Sequence, residues 1–502
     1  MIHAKWLLLT FFLFPFLAQA QLQPCATPPV KSKWLTLYQR HPEHYAQPEE
    51  DTILYIPLTI HLLGNDDGTS HYPIDRLLTS LCQLNADFAQ ANIQFFLESP
   101  IDYIDNTAYN HHSTVVEGAQ MMFENDVENT LNCYFVDDAA DACGYNLPYA
   151  SIALNESCTG QSHTWAHEVG HDFTLPHPFL GWEGTEYMAG DTAPVKLTYD
   201  YTYFQDTLIL DTLIIDTAFT ELVDGSNCEI AADGFCDTPP DYLSDRWPCT
   251  ADNTNGFTEV DPTGATFQTS GELFMSYSYD DCQSKFSPQQ IAAMRSYILD
   301  EKPNYLYNQT PYPQLSDQQT PLLSPAYEAI TDKTHTQLVW ASAGTPATYH
   351  LVVSKSFTMA YPFVDTLITD TTFLLTDLEK HNYYWQVQPF NKYSFCSPLS
   401  KRGKFTADEM VAIFEQAGER WQVGPTFVQQ GTSLHLTGQH PLSSDADLSL
   451  VSVSGQVVQT QQLRAGSLDY ELFLSEKCQR GLYYLVLHIK GHPVLRQKVM
   501  VY

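Results

Sequence analysis

Basic residues are what this chain has least of. Only 24 Lys+Arg stand against 59 Asp+Glu in 502 residues, a formal charge of −35. That shortage excludes general binding to phosphate backbones, which a strongly negative chain repels. It equally disfavours docking on anionic membrane surfaces. Long apolar runs are missing beyond the N-terminus, so no transmembrane span is expected. There is no tandem repeat and no low-complexity tract, which argues against a solenoid. What is present is enough apolar material, 44% of residues, to build sizeable cores and to exclude a wholly disordered chain. The length suggests three or four domains.

The charge is not spread evenly. Residues 51–300 hold 5 basic and 39 acidic residues, whereas residues 301–406 balance at 8 and 8. One region therefore carries essentially all of the excess. The N-terminus reads as a signal peptide over residues 1–20. Lys5 gives a positive start, residues 6–17 are apolar except Thr10 and Pro15, and Ala18-Gln19-Ala20 fits the small-x-small cleavage pattern. Export to a secreted or cell-surface location is expected, where disulfides persist. Eleven cysteines are present, an odd number, so at least one is unpaired or has another task.

Residues 21–52 are polar and proline-rich and read as a short pro-segment. The pattern changes at residue 53. Residues 53–63 read as a buried strand ended by a Gly-Asn-Asp-Asp-Gly turn. Residues 74–91 have helical spacing through Leu77, Leu78, Leu81, Leu84 and Phe88, and 93–97 read as another strand. This places an α/β (α+β) domain over 53–310. Residues 318–406 show short strand candidates at 337–341, 349–353, 372–375 and 383–390, an all-β sandwich pattern. This stretch resembles a fibronectin type III-like module, with Trp340 and Trp385 as core aromatics. Residues 407–424 read as a linker, helical over 407–419, and 425–502 as a second all-β domain. The fold class expected is multidomain: an α/β domain followed by two β-sandwiches.

The chemistry is concentrated in Thr164-Trp165-Ala166-His167-Glu168-Val169-Gly170-His171-Asp172-Phe173-Thr174-Leu175-Pro176-His177. His167 and His171 are four apart, so a helix presents them on one face to a single metal ion. His177 reaches the same ion only if the chain turns after His171. Three neutral imidazoles leave one tetrahedral position open, the catalytic arrangement for zinc. Glu168 lies beside them, placed for proton transfer.

The spacing resembles the metzincin metallopeptidases, with one departure: Thr174 stands where that family has glycine. A β-branched residue forced into the positive-φ conformation costs about 1–2 kcal/mol. A second block, Leu273-Phe274-Met275-Ser276-Tyr277 through Asp281-Cys282, resembles the pappalysin branch of that family. The resemblance implies Met275 as the floor under the zinc and Tyr277 as a stabiliser of the oxyanion. It implies a zinc-dependent endopeptidase acting on proteins or peptides, with Glu168 as general base. A third block, residues 224–240, also resembles the pappalysins, in which it binds calcium and carries disulfides. Asp233, the Cys236 carbonyl and Thr238 are the calcium candidates; an acidic solvated loop is the alternative. The pairings taken from the resemblance are Cys249–Cys282 and Cys228–Cys236.

Residues 149–154, just before the zinc motif, read either as an edge strand that aligns an extended substrate or as an ordinary central strand. Cys25, among prolines near the mature N-terminus, resembles a cysteine switch whose thiolate fills the open zinc position. A disulfide, with Cys82 for instance, is the alternative. The C-terminal region resembles a type IX secretion sorting domain of Gram-negative bacteria, through Ser452-Val453-Ser454-Gly455-Gln456-Val457, Gly481-Leu482-Tyr483-Tyr484 and the final Arg496-Gln497-Lys498-Val499. That resemblance implies the secretion machinery as a partner. The competing class for the whole chain is a non-catalytic adhesion or carbohydrate-binding surface protein holding a structural zinc. Glu168 and the open three-histidine set speak against it.

Overall fold

The apolar run expected to form a strand does so as β1 (Leu54–Gly64), buried along nearly its whole length. The computed structural model describes residues 22–49, 51–148, 150–205, 208–307, 310–408, 421–442, 444–453, 456–475, 478–489 and 492–502. The expected signal peptide, Tyr149, residues 409–420 of the linker and the Gly455 turn lie outside them. Residues 407–408, expected as the start of a linker helix, instead end a strand, Gly403–Asp408. No helix among the described residues is long and apolar enough to cross a membrane.

β1 is an inner strand of a mixed sheet. It pairs in parallel with β2 (Ile93–Leu97) and, further along, with β3 (Asp102–Asp105). Its other side takes β4 (Leu131–Val136), again in parallel. β4 is followed by β6 (Ile152–Asn155), and the order closes with the short antiparallel β5 (Gly144–Asn146). Parallel strands covered on both faces read as continuous apolar runs, which is why β1 does not alternate.

Four helices matter for the site. α1 (Lys33–Arg40) is capped by Ser32, whose hydroxyl accepts the Leu35 amide. It buries Leu35 and Tyr38 in the same core as β1, so part of the segment read as polar pro-segment is core structure. α2 (Ile74–Asp87) buries Leu77, Leu78, Leu81 and Leu84, the stripe that its spacing predicts. α3 (Thr164–Asp172) carries His167, Glu168 and His171. α4 (Pro288–Glu301) starts with a capping box between Ser287 and Gln290.

The chain divides into two compact units. The first runs to Tyr327 and also holds Leu338–Phe373 and Tyr383–Lys404. The composition shift near residue 300 is therefore not where this unit ends. Two observations explain why. Cys82 of α2 is disulfide-bonded to Cys396, 314 residues away. Tyr393 stacks on Phe96 of β2, with centroids 4.7 Å apart. Within this unit, strand Thr348–Ser354 pairs with Val364–Ile368 and with His381–Phe390. Trp385 faces Trp340 at 6.1 Å, and both indoles are buried. The expected core aromatics are core.

The second unit contains residues 405–502 together with Glu328–Gln337 and Leu374–Asn382. Its C-terminal part is two antiparallel-rich sheets, of three and five strands. Strands Ala446–Ser452, Val457–Leu463, Gly481–Ile489 and His492–Val501 are neighbours in the larger one. Leu436, Leu448, Leu450, Leu472 and Leu485 fill the core of this unit.

Candidate metal centre

α3 ends because the chain turns left-handed at Thr174, φ +79°. The Leu175 amide donates back to Gly170 O at 2.9 Å, and the Thr174 amide to His171 O at 2.9 Å. This is the six-to-one closure that usually takes glycine at the turning residue. Thr174 makes that turn with its hydroxyl 2.6 Å from that of Ser32. The reversal returns His177 to the face of α3 that carries His167 and His171.

The three Nε2 atoms lie 3.1, 3.1 and 3.3 Å apart. A tetrahedral zinc with Zn–N bonds of about 2.0–2.1 Å requires N–N edges of about 3.3 Å, so the donor set fits that ion. Each ring's other nitrogen is occupied. His167 Nδ1 donates to Phe274 O (2.8 Å), His171 Nδ1 to Leu175 O (2.7 Å) and His177 Nδ1 to a Glu183 carboxylate oxygen (3.1 Å). These bonds fix the tautomer and aim all three lone pairs inward. Burial, reinforced for His167 by the neighbouring His177, pushes His167 and His177 down to about 3. Burial and the two neighbouring rings push His171 down as well. All three are neutral, as a metal requires.

Glu168 is fully buried, and burial raises its carboxyl to about 8 against hydrogen bonds from Thr27 and Cys25 that lower it. Met275 is buried beneath α3: a Cβ built on Gly170 would sit 2.4 Å from its sulfur. Glycine at 170 is what lets the methionine come this close. Tyr277 is buried, its ring 4.9 Å from that of His177 and 5.8 Å from that of His167. Its hydroxyl donates to Cys25 O at 3.4 Å.

Cys25 is a free, buried thiol. Its sulfur is 3.6 Å from Glu168 Oε2 and 3.7 Å from His171 Nε2. A mixed N–S edge about a zinc ion measures about 3.6 Å, which the separation from His171 matches. Cys25, His167, His171 and His177 offer ligand atoms all within 4.8 Å of one another. The disulfide alternative for Cys25 is corrected: Cys82 pairs with Cys396. The edge-strand alternative for 149–154 is corrected too. β6 lies between β4 and β5, so it is central, and β5 is the edge.

The open side of β5 is taken by the N-terminal segment. Ala26 N donates to Gly144 O (3.0 Å), and Cys143 N to Gln23 O (2.8 Å). Thr27 is the pivot: its hydroxyl donates to Glu168 Oε2 at 2.9 Å and accepts the Asn146 amide at 2.8 Å. Residues 22–29 also wall a cavity of about 660 Å³ with His177, Glu183, Asp200, Arg246 and Tyr277.

The calcium candidates are less gathered. Asp233 is buried, with Oδ1 accepting the Phe235 amide and lying 3.1 Å from the Thr238 hydroxyl, and Oδ2 without a hydrogen-bond partner. Cys236 is exposed and disulfide-bonded to Cys228; Cys249 is bonded to Cys282. A fourth bridge, Cys143–Cys158, had no sequence signal, and Cys133 and Cys478 are free.

No protein-family model and no curated protein matches the chain. Among solved structures, it is similar to the FN1–FN3 domains of chicken CNTN1 at 11% identity and a TM-score of 0.15, covering 36% of this chain and 65% of that one. It is also similar to the fibronectin(III)-like modules of Clostridium thermocellum CbhA, at 10% identity and a TM-score of 0.17, covering 37% and 93%. These neighbours are fibronectin type III domains, and at that score they carry no argument about the site.

Sequence reasoning missed Thr27, Asn146 and Glu183. Nothing in their spacing marks them, since each meets the site through a turn or a sheet edge rather than along a helix. It also missed three buried carboxylates, Glu221, Asp241 and Glu259, which with the calcium candidate Asp233 are each 3% exposed or less. Burial holds them up, to about 9, 8, 7 and 7 respectively. The Lys31 ammonium faces Asp233 and Glu221. Acids whose folded-state pKa is raised lower stability as pH climbs from the unfolded value, about 4, through those figures. The melting temperature is expected to fall between pH 5 and pH 8 in the absence of divalent cations. A pH series of thermal melts in a chelating buffer checks it; a flat profile would refute it.

Proposed function

We propose that the chain is a secreted zinc endopeptidase of pappalysin type, held latent by its own N-terminal segment. The observation that carries this reading is the convergence of three neutral imidazoles beside a buried carboxylate at the open edge of a sheet. His167, His171 and His177 hold the zinc, which when bound supplies Lewis acidity and a nucleophile at neutral pH.

The remaining steps belong to the chain. An extended substrate pairs with the main chain of β5, the position that residues 23–27 occupy in the precursor. Glu168 accepts a proton from the attacking water at its carboxylate and delivers it to the leaving amine. A carboxyl held near neutrality by burial suits both directions of that transfer. The Tyr277 hydroxyl donates to the oxygen that gains charge. Cys25 and Thr27 block the metal and the base in the precursor. Calcium binds around Asp233, Thr238 and the Cys236 carbonyl, relieving the buried negative charge.

Casein cleavage by the activated chain is expected to vanish with a zinc chelator and to return on adding zinc. Cleavage that survives full metal removal would refute the reading. The C-terminal unit serves as a secretion address in this proposal, supported by the strand motifs at 448–453, 481–489 and 496–501. Deletion from residue 425 should abolish export while leaving intracellular chain; undiminished export would overturn that part alone.

A further inference from the structure

A second group of metal-binding side chains lies outside the three-histidine cluster. We infer that the turn after α1 is a solvent-facing site for a divalent transition-metal ion, held by His41, Glu43 and His44.

The local chemistry builds it. Pro42 cannot continue α1, and it opens a single 3₁₀ turn, Pro42–His44. His44 N donates to His41 O at 3.0 Å, and Tyr45 N to Pro42 O at 3.2 Å. A 3₁₀ turn sets residues three apart on one side. His41 and His44 therefore stack, with centroids 5.1 Å apart and planes at 20°. Glu43 reaches both: its Oε1 is 3.4 Å from His41 Nδ1 and 3.6 Å from His44 Nε2. One ligand atom from each residue lies within 4.8 Å of the other two. The separations of 3.4 and 3.6 Å lie near the edge of about 3.3 Å for a tetrahedral N/O site.

Among the described residues, neither ring has a polar partner other than Glu43. An imidazole pair with one carboxylate is a donor set for Zn²⁺ or Cu²⁺ rather than for calcium, which takes oxygen ligands. The side chains are 58–68% exposed, so water or an outside ligand completes the shell. An ion held here staples the end of α1 to the turn that leads into β1. It is independent of the zinc chemistry proposed above.

The test is zinc uptake by the purified full chain, measured by calorimetry. Two classes of site are expected: one tight, and one weaker and micromolar. His41→Ala/His44→Ala should lose the weaker class and keep the tight one. His167→Ala/His171→Ala should do the reverse, and Cu²⁺ added to that chain should show two nitrogen ligands by electron paramagnetic resonance. A wild-type chain with no weaker class, or a weaker class that survives His41→Ala/His44→Ala, overturns the inference. The surface pair leaves every core contact intact, so the comparison of wild type with His41→Ala/His44→Ala decides the matter even if the other variant misfolds.

Discussion

A Glu168→Gln chain is expected to keep its metal and to lose peptide cleavage by about three orders of magnitude, the scale of a general acid–base contribution. That corresponds to about 4 kcal/mol of barrier. Glutamine has the shape of glutamate, and the pocket around residue 168 is tight: Glu168 Cγ is 3.0 Å from a Cβ built on Gly144. The amide therefore fits without moving α3. It is not among the ligand atoms that converge on the histidine cluster, so zinc content should not change. The measurement is cleavage of an unstructured protein by the activated chain, with zinc counted on the same sample. Activity within tenfold of wild type would remove Glu168 from the mechanism. Loss of zinc would instead mean that the carboxylate shapes the site.

The second large effect concerns latency. Cys25→Ala should make the unprocessed precursor partly active, because its thiol is the metal-ligating group of residues 22–29 that lies beside the three histidine nitrogens. Thr27→Val should act through a different route. It strips the Glu168 carboxylate and the Asn146 amide of a shared hydroxyl. Leaving buried groups unsatisfied costs about 1–3 kcal/mol, or about five- to 150-fold in the undocked fraction. The double variant should exceed either single one, since the two residues block different groups. Precursor activity is read on a short fluorogenic peptide, with mass spectrometry confirming an intact N-terminus. A Cys25→Ala precursor as silent as wild type would end the switch reading, whatever Thr27 does.

Much of the first unit was legible. β1 could be read because a strand buried on both faces is an uninterrupted apolar run. α2 could be read because its leucines repeat with the helical period. The turn after α3 was legible in the negative: a threonine in place of glycine marked a strained position, and Thr174 is left-handed. The helix expected over 407–419 does not start where the composition placed it, because residues 407 and 408 end the strand Gly403–Asp408. The apparent boundary near residue 300 misled, because composition reports charge and not packing. Cys82–Cys396 and the Tyr393–Phe96 stack cross it.

The acidic excess misled in a similar way. For residues 224–240 it left an acidic solvated loop as the alternative. In the fold, Glu221, Asp233, Asp241 and Glu259 are inside. Burial depends on neighbours distant in sequence, and a carboxylate carries no local mark of it.

By itself, the sequence determined the three histidines and the glutamate of the candidate centre. They lie within eleven residues, from His167 to His177, and one helix with one turn suffices to converge them. Local geometry was enough. Tertiary structure alone decided what stands opposite. Cys25 and Thr27 meet Glu168 across 143 and 141 residues. They do so because β5, rather than the strand before α3, is the free edge of the sheet. Which strand is left unpaired is a property of the whole sheet order, and no local pattern encodes it.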